Sequence, residues 1–443
     1  MRRFYSLLFI GPLALLASAA PVRPRRCEVV ARVMHPYSGP SAAGVDTSTL
    51  AGKVMCGYQG WFACPDDGAE RGWFHWAGRG GAFEPGNCSI DFWPDVSELD
   101  EDEKCPTAFR HADGSVAHVY TAMNPKTVAR HFEWMRDYGI DGAFVQRFAQ
   151  ETVPAVNLNF CTTVLANCRA GANQAGRAYA VMYDLSGLRA NQMDRVMRDW
   201  RLLVDHMHIR QDPAYLHHNG KPVVAVWGIG FSDGRAYTLE ECAALLDLLK
   251  DDPVYGGCAV MVGVPSYWRT LRRDAVDAPF LHEVLLKADI ISPWAVGRFH
   301  TLDGVQRYAE EVWRPDIAWC AARGKEYLPV VFPGFSWHNL KPDSPLGHIP
   351  RQKGEFLWAQ YEAAVDAGAT MIYQAMFDEV DEGTAIFKCT NDPPVGASPF
   401  LTYEGLPTDY YLKLVGDGGR LLRGEQDTAR TPLGCLGIVR RDE

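Results

Sequence analysis

The chain has 443 residues, of which 47% are hydrophobic and 12% aromatic, enough to bury one large core or two ordinary ones. Its formal net charge of −10 argues against nucleic acid and anionic membrane surfaces as partners and is compatible with a neutral ligand. None of its twelve cysteines sits in a CxxC or Cys/His spacing of zinc type, so neither a metal nor any other cofactor is expected.

The first twenty residues, MRRFYSLLFIGPLALLASAA, combine two arginines, a short apolar stretch and small residues at Ala17 and Ala19, which predicts a signal peptide cleaved after Ala19 or Ala20. No later segment is apolar enough to span a bilayer, so a secreted, soluble monomer with no membrane contact after cleavage is expected. All the cysteines lie beyond the cleavage point, and in an oxidising compartment at least two disulfides are expected, one of them involving Cys64, Cys88 or Cys105. Cys56 and Cys258 fall in strand-like runs and read as core thiols.

After an N-terminal extension over 21–52, short apolar runs alternate with segments of helical period. The runs are KVMCGYQGWF (53–62), DGAFVQRF (141–148), RAYAVMYDL (177–185), KPVVAVWGI (221–229), GCAVMVGV (257–264), DIISPWAVG (289–297), EYLPVVFPGF (326–335) and TMIYQAMF (370–377). Helices between them have recognisable ends. Asn124 and Pro125 open one whose apolar face carries Val128, Phe132 and Met135 and which stops at Gly139; TLEECAALLDLLKDD and residues 354–369 behave similarly. Uniformly apolar strands suit a parallel sheet covered on both faces, and eight of them with intervening helices predict an α/β fold, a (β/α)8 TIM barrel over 53–424. Residues 59–123 form a long Trp-rich first βα loop, predicted to fold over the C-terminal mouth; a last helix lies within TDYYLKLVGDGGRLLRG, and 425–443 form a tail.

Catalytic groups of such barrels come from the C-terminal strand ends and the loops that follow. Here those positions supply Tyr58, Gln146, Arg147, Tyr183, Asp184, Trp227, Trp294, Trp337 and His338, and the first loop adds Trp61, His75, Trp76 and Asp91. Sugars present C–H faces to aromatic rings and hydroxyls to carboxylates and amides, so this concentration predicts a carbohydrate site. Taken singly, each Trp reads more readily as packing than as a ligand contact, and Arg147 reads also as an ion-pair partner for barrel carboxylates. After the eighth run, Asp378, Glu379, Asp381 and Glu382 place four carboxylates in FDEVDE. Crowding raises one member's pKa while a neighbour stays charged, which is the pairing that glycosidic cleavage requires. Glu379 and Glu382 are therefore the candidate catalytic pair, with Asp378 and Asp381 beside them.

FDEVDEGTAIF resembles the N-E-W-H-E-G-T signature after the last strand of glycoside hydrolase family 99, within the broader 71/99-like group. GYQGWF, GWFHW and PGFSWHN resemble that family's first-strand, His-Trp and seventh-strand motifs. The resemblance implies a retaining, endo-mannosidase-like enzyme in which Glu379 deprotonates the sugar's own 2-hydroxyl, the internal nucleophile, and Glu382 is general acid and then base. Val380 and Asp381 stand where the family has Trp and His, and Asp378 where it has Asn, which leaves the sugar of an α-linked oligo- or polysaccharide substrate open. Two other classes fit parts of the pattern: a non-catalytic carbohydrate-binding barrel, which would not need both glutamates, and a metal-dependent hydrolase using the DEVDE oxygens.

Overall fold

Each apolar run forms a strand in the computed structural model, which describes residues 25–425. The predicted signal peptide, Cys435 and the tail from 426 onward lie outside the described residues. The strands are β1 (Val54–Tyr58), β2 (Gly142–Phe148), β3 (Ala178–Asp184), β4 (Lys221–Trp227), β5 (Ala259–Pro265), β6 (Ile290–Trp294), β7 in two pieces (Glu326–Tyr327 and Val330–Val331) and β8 (Ile372–Gln374). All pair in parallel with their neighbours, and β1 pairs β8 with Val54 opposite Ile372. Pro329 has no N–H to give the ladder and splits β7. The run nevertheless closes the ring, since Leu328 N–H donates to Ile291 O and Tyr373 N–H to Pro329 O. The chain is thus a (β/α)8 barrel.

Helices cover the ring: Pro125–Asp137, Ala155–Ala175, Asp194–Met207, Leu239–Asp251, Phe280–Leu285, Leu302–Tyr308, Arg314–Ala321, Glu355–Asp366 and Tyr410–Leu422. The caps are those the sequence signals. The Asn124 side chain accepts from Lys126 N–H, and Thr238 with Glu241 forms a capping box. Closure of the last helix on the barrel depends on Gly416, where a Cβ would lie 1.9 Å from Tyr138 O. The N-terminal helix Arg26–Val33 lies against the Ala155–Ala175 helix, with Arg32 donating to Asn159 at 2.6 Å.

The first βα loop is less irregular than its composition suggests. It contains an antiparallel pair, Cys105–Arg110 with Val116–Val119, and a core of Phe62, Trp76, Phe83, Trp93, Phe109 and Tyr120. Backbone bonds from Asp91 to Val380 O and from Asp95 to Lys388 O seal it onto the segment after β8. Cys64 and Cys105 form a disulfide. Among the described residues this is the one disulfide, and it involves two of the three cysteines expected to take part in one; Cys435 lies outside the described residues. Cys88 is a buried thiol against Ser398, and Cys56, Cys168, Cys242, Cys258, Cys320 and Cys389 are buried thiols on separate elements of the core.

Candidate active site

Side chains along a strand alternate between its two faces, and this alternation sorts the candidates. Arg147 pairs in register with Tyr183, and both point outward to the helix layer, where Arg147 makes two bonds to Asp199 at 2.6 and 2.7 Å and the Tyr183 hydroxyl donates to the same carboxylate at 2.7 Å. Tyr58 likewise turns outward and meets His131 at 2.9 Å. These three side chains are fully enclosed, so they hold strands to helices and do not line the mouth, contrary to their sequence assignment as sugar contacts. Trp76 is corrected similarly: its indole is inside the core of the first loop and donates to Tyr120 O.

Asp91 is also enclosed. Its carboxylate accepts from the backbone N–H of His338 (2.7 Å) and Asn339 (2.8 Å) and from the Ser336 hydroxyl, fastening the first loop to the one after β7. Asp378 does the same for the end of β1, accepting from the backbone N–H groups of Gln59 and Gly60 at 2.7 and 2.8 Å. Burial pushes the Asp378 carboxyl up to about 7. Both aspartates therefore shape the rim and do not face the opening.

The opposite parity supplies the mouth. Gln59, Gln146, Phe148, Asp184, Trp227 and Trp294 follow or precede the outward-facing residues by one position and lie at the C-terminal ends. Trp227 and Trp294 meet edge to face with centroids 5.7 Å apart, and Trp337 and His338 stand half-buried on the loop after β7. Asp184, half-buried, accepts from Ser186 N–H.

Within FDEVDE the four carboxylates do not share one environment. Glu379 is 3% exposed; its Oε1 accepts from Gln59 Nε2 at 2.6 Å and its Oε2 from the Thr384 hydroxyl. Asp381 accepts from His75 Nδ1 at 2.9 Å, and its other oxygen is buried without a partner. Glu382 is partly exposed, and its carboxyl makes no hydrogen bond to a described residue. Burial, then the Asp381 charge, pushes Glu382 up to about 7, with Lys341 pulling the other way. Burial also raises Glu379 well above the carboxylate range, followed by Glu382 and Asp381. Of the two, Glu379 is the one with donors on both oxygens, which favours its ionised form, so the proton of the pair belongs on Glu382.

His75 is in the left-handed region at φ 61°, an uncommon conformation for a non-glycine residue. Its carbonyl takes the Ser89 hydroxyl, and its ring lies flat on Trp61 with centroids 3.8 Å apart at 5°. Trp61 also stacks on Phe148 with centroids 5.5 Å apart at 28°. The stack borders a cavity of about 200 Å³ whose lining includes Gln59, Gln146, Phe148, Arg71 and Glu151. Arg71 pairs with Glu151 at 2.6 Å and stacks over Phe74 at 3.4 Å. Gln59, Phe148, Thr384 and the Arg71–Glu151 pair escaped the sequence reading. Gln59 and Phe148 are each one step along the chain from an outward-facing residue, Tyr58 and Arg147, and are found by parity; the others carry no sequence signal.

No protein-family model matches the sequence, and no curated protein does. Among solved structures, the chain resembles the family 99 endo-α-mannosidase from Bacteroides thetaiotaomicron, with a TM-score of 0.63 at 17% identity over 85% of this chain and 99% of that one. It also resembles a structure described as a glycoside hydrolase-like protein, with a TM-score of 0.52 at 12% identity over 88% and 98%. The fold is therefore that of the family 99 barrel.

Proposed function

We propose that the chain is a secreted glycoside hydrolase acting on α-linked glycans with retention, through a neighbouring-group route. The observation that carries this reading is the unequal glutamate pair at the C-terminal mouth: a partly exposed Glu382 whose carboxyl bonds to no described residue, next to a buried Glu379 whose two oxygens accept from Gln59 and Thr384. A proton donor and a base side by side are what glycosidic cleavage needs. In the first step the Glu379 carboxylate takes the proton of the sugar's 2-hydroxyl, O2 attacks the anomeric carbon, and the leaving oxygen departs with the Glu382 proton. In the second, Glu382 removes a proton from water, which opens the strained ring at the anomeric carbon, and Glu379 returns a proton to O2. Two inversions give net retention. A neutral glycan accords with the acidic chain, and the barrel shared with an endo-α-mannosidase supports the assignment.

The test is a screen of the purified protein against α-mannans, α-glucans and α-xylosides, followed by Glu379→Gln and Glu382→Gln on any substrate cleaved. Each variant is expected to lose on the order of 10²-fold or more in rate with the fold intact, and near wild-type turnover of both would overturn the assignment. A substrate lacking its 2-hydroxyl is expected to bind without turning over. A covalent 2-fluoroglycosyl adduct on Glu379 would retain the glycosidase and overturn the neighbouring-group step.

A further inference from the structure

The glutamate loop is held from behind by one buried cation. Arg351, on the segment that leads from β7 into the Glu355–Asp366 helix, is 5% exposed, and its Nη2 donates to Gly383 O at 2.9 Å and to Ala385 O at 2.6 Å. Those carbonyls flank Thr384, whose hydroxyl donates to Glu379 Oε2, and Gly383 directly follows Glu382 in the chain. The remaining guanidinium nitrogens, Nε and Nη1, are buried without a hydrogen-bond partner. The Arg351 Cζ lies 4.3, 5.0 and 4.6 Å from the ring centroids of Phe92, Tyr403 and Tyr411. Burying a charge is costly, and here three π faces and two charge-assisted bonds to the loop offset that cost.

The surrounding backbone is shaped to send this side chain inward. Gln352 and Lys353, which follow it, are both left-handed at φ 50°, a conformation that non-glycine residues keep only where the surroundings fix it. Here Lys353 N–H donates to Glu404 at 2.6 Å and its carbonyl accepts the Tyr410 hydroxyl at 3.0 Å. Two glycines admit the close approaches: a Cβ on Gly334 would lie 2.8 Å from Arg351 Cγ, and one on Gly383 would lie 2.7 Å from Ser336 N. The Ser336 N–H in turn donates to Glu382 O at 3.0 Å. We infer that Arg351 is a positioning residue for the glutamate pair, a fixed cation that, with the Ser336 amide, holds the turn 382–385 and so sets where the Glu379 and Glu382 carboxyl groups stand. It acts through Thr384 and the loop backbone and not on the reacting atoms. The inference rests on the glycosidase reading of this pair, but its local readout needs no turnover.

Arg351→Met keeps an apolar stem among the three rings and removes both bonds to the loop. Hydrogen–deuterium exchange of the full-length protein, read by mass spectrometry, is expected to show the amides of 376–388 exchanging about tenfold faster, the loss of roughly one net hydrogen bond. The helices Ala155–Ala175 and Leu239–Asp251 are expected to exchange as in wild type. On any glycan the wild type cleaves, kcat is expected to fall on the order of 10²-fold with KM unchanged, because a displacement of about 1 Å at a reacting group suffices for such a loss. Arg351→Lys, which keeps a cation able to reach one of the two carbonyls, is expected to be intermediate in both readouts, and it is compared with wild type alone if Arg351→Met does not fold. The inference is overturned if 376–388 exchanges at the wild-type rate, if the acceleration is equal throughout the barrel, if the loss is in KM and not kcat, or if Arg351→Lys is no better than Arg351→Met. Absence of any glycan hydrolysis by the wild type would refute the proposed activity, and the exchange pattern would then decide by itself whether Arg351 holds the loop. Local acceleration with unchanged kcat would refute the positioning role and leave the glycosidase standing.

Discussion

Asp199→Ala isolates the ion pair that the sequence suggested as a sugar contact. Arg147 and Asp199 are 1% and 0% exposed, joined by bonds of 2.6 and 2.7 Å, with Tyr183 donating to Asp199 and Arg147 donating to Thr162 at 3.1 Å. Removing the carboxylate leaves a guanidinium in the barrel wall with Thr162 as its remaining partner and strands the Tyr183 hydroxyl. Breaking one side of a buried pair costs about 3–5 kcal/mol, and the orphaned hydroxyl adds about 1 kcal/mol or more. Asp199→Leu combined with Arg147→Met removes both charges and is expected to recover most of that loss. Urea unfolding followed by tryptophan fluorescence measures both variants. A loss below about 1 kcal/mol for Asp199→Ala, or a double variant no more stable than the single, would refute the view that this pair is structural.

Three further outcomes follow from the same geometry. The rate on any cleaved glycan is expected to fall as pH rises through about 7, because Glu382 must carry a proton to assist departure; a pH profile flat from 5 to 9 would contradict it. Glu382 has a folded pKa raised above its unfolded value, so its ionisation destabilises the fold as pH climbs from the ordinary carboxylate range through about 7. Glu382→Gln is therefore expected to be more stable than wild type at pH 8 and equal to it at pH 4, as measured by thermal unfolding at the two pH values. Finally, the Cys64–Cys105 bridge closes a sequence separation of 41, worth about 4 kcal/mol by loop entropy, so Cys64→Ser with Cys105→Ser should unfold at lower urea, whereas Cys88→Ser should change little.

The barrel was legible because its strands are short, apolar and evenly spaced, and because Asn124-Pro125 and Thr238 mark helix starts in the plain way. The place of the four carboxylates, directly after the eighth strand at the C-terminal end of the barrel, was legible because the run that precedes them is plainly a buried strand. What failed was assigning strand-end residues without fixing parity. Arg147 and Tyr183 are as polar as Gln146 and Asp184, and one position decides whether a side chain meets a helix or the mouth. The strand end alone does not reveal Asp199, 52 residues further along the chain, as the partner that draws Arg147 outward. The first loop misled for a related reason: its Trp and Asp residues looked like ligands, yet Trp76 and Asp91 build its core and its attachment, while His75 between two aromatics is turned to the site by a single left-handed residue. Among the described residues one disulfide forms, and most of the other thiols are buried core residues.

The role of Glu382 as proton donor is tested most directly by leaving-group dependence. Once a cleaved glycan identifies the sugar, Glu382→Gln is assayed on that glycan and on the corresponding α-glycosyl fluoride, whose leaving group needs little protonation. The account predicts a loss on the order of 10²-fold or more with the glycan and a rate within about tenfold of wild type with the fluoride. Equal losses on both substrates would contradict it, because they would place Glu382 in binding or folding and not in proton transfer.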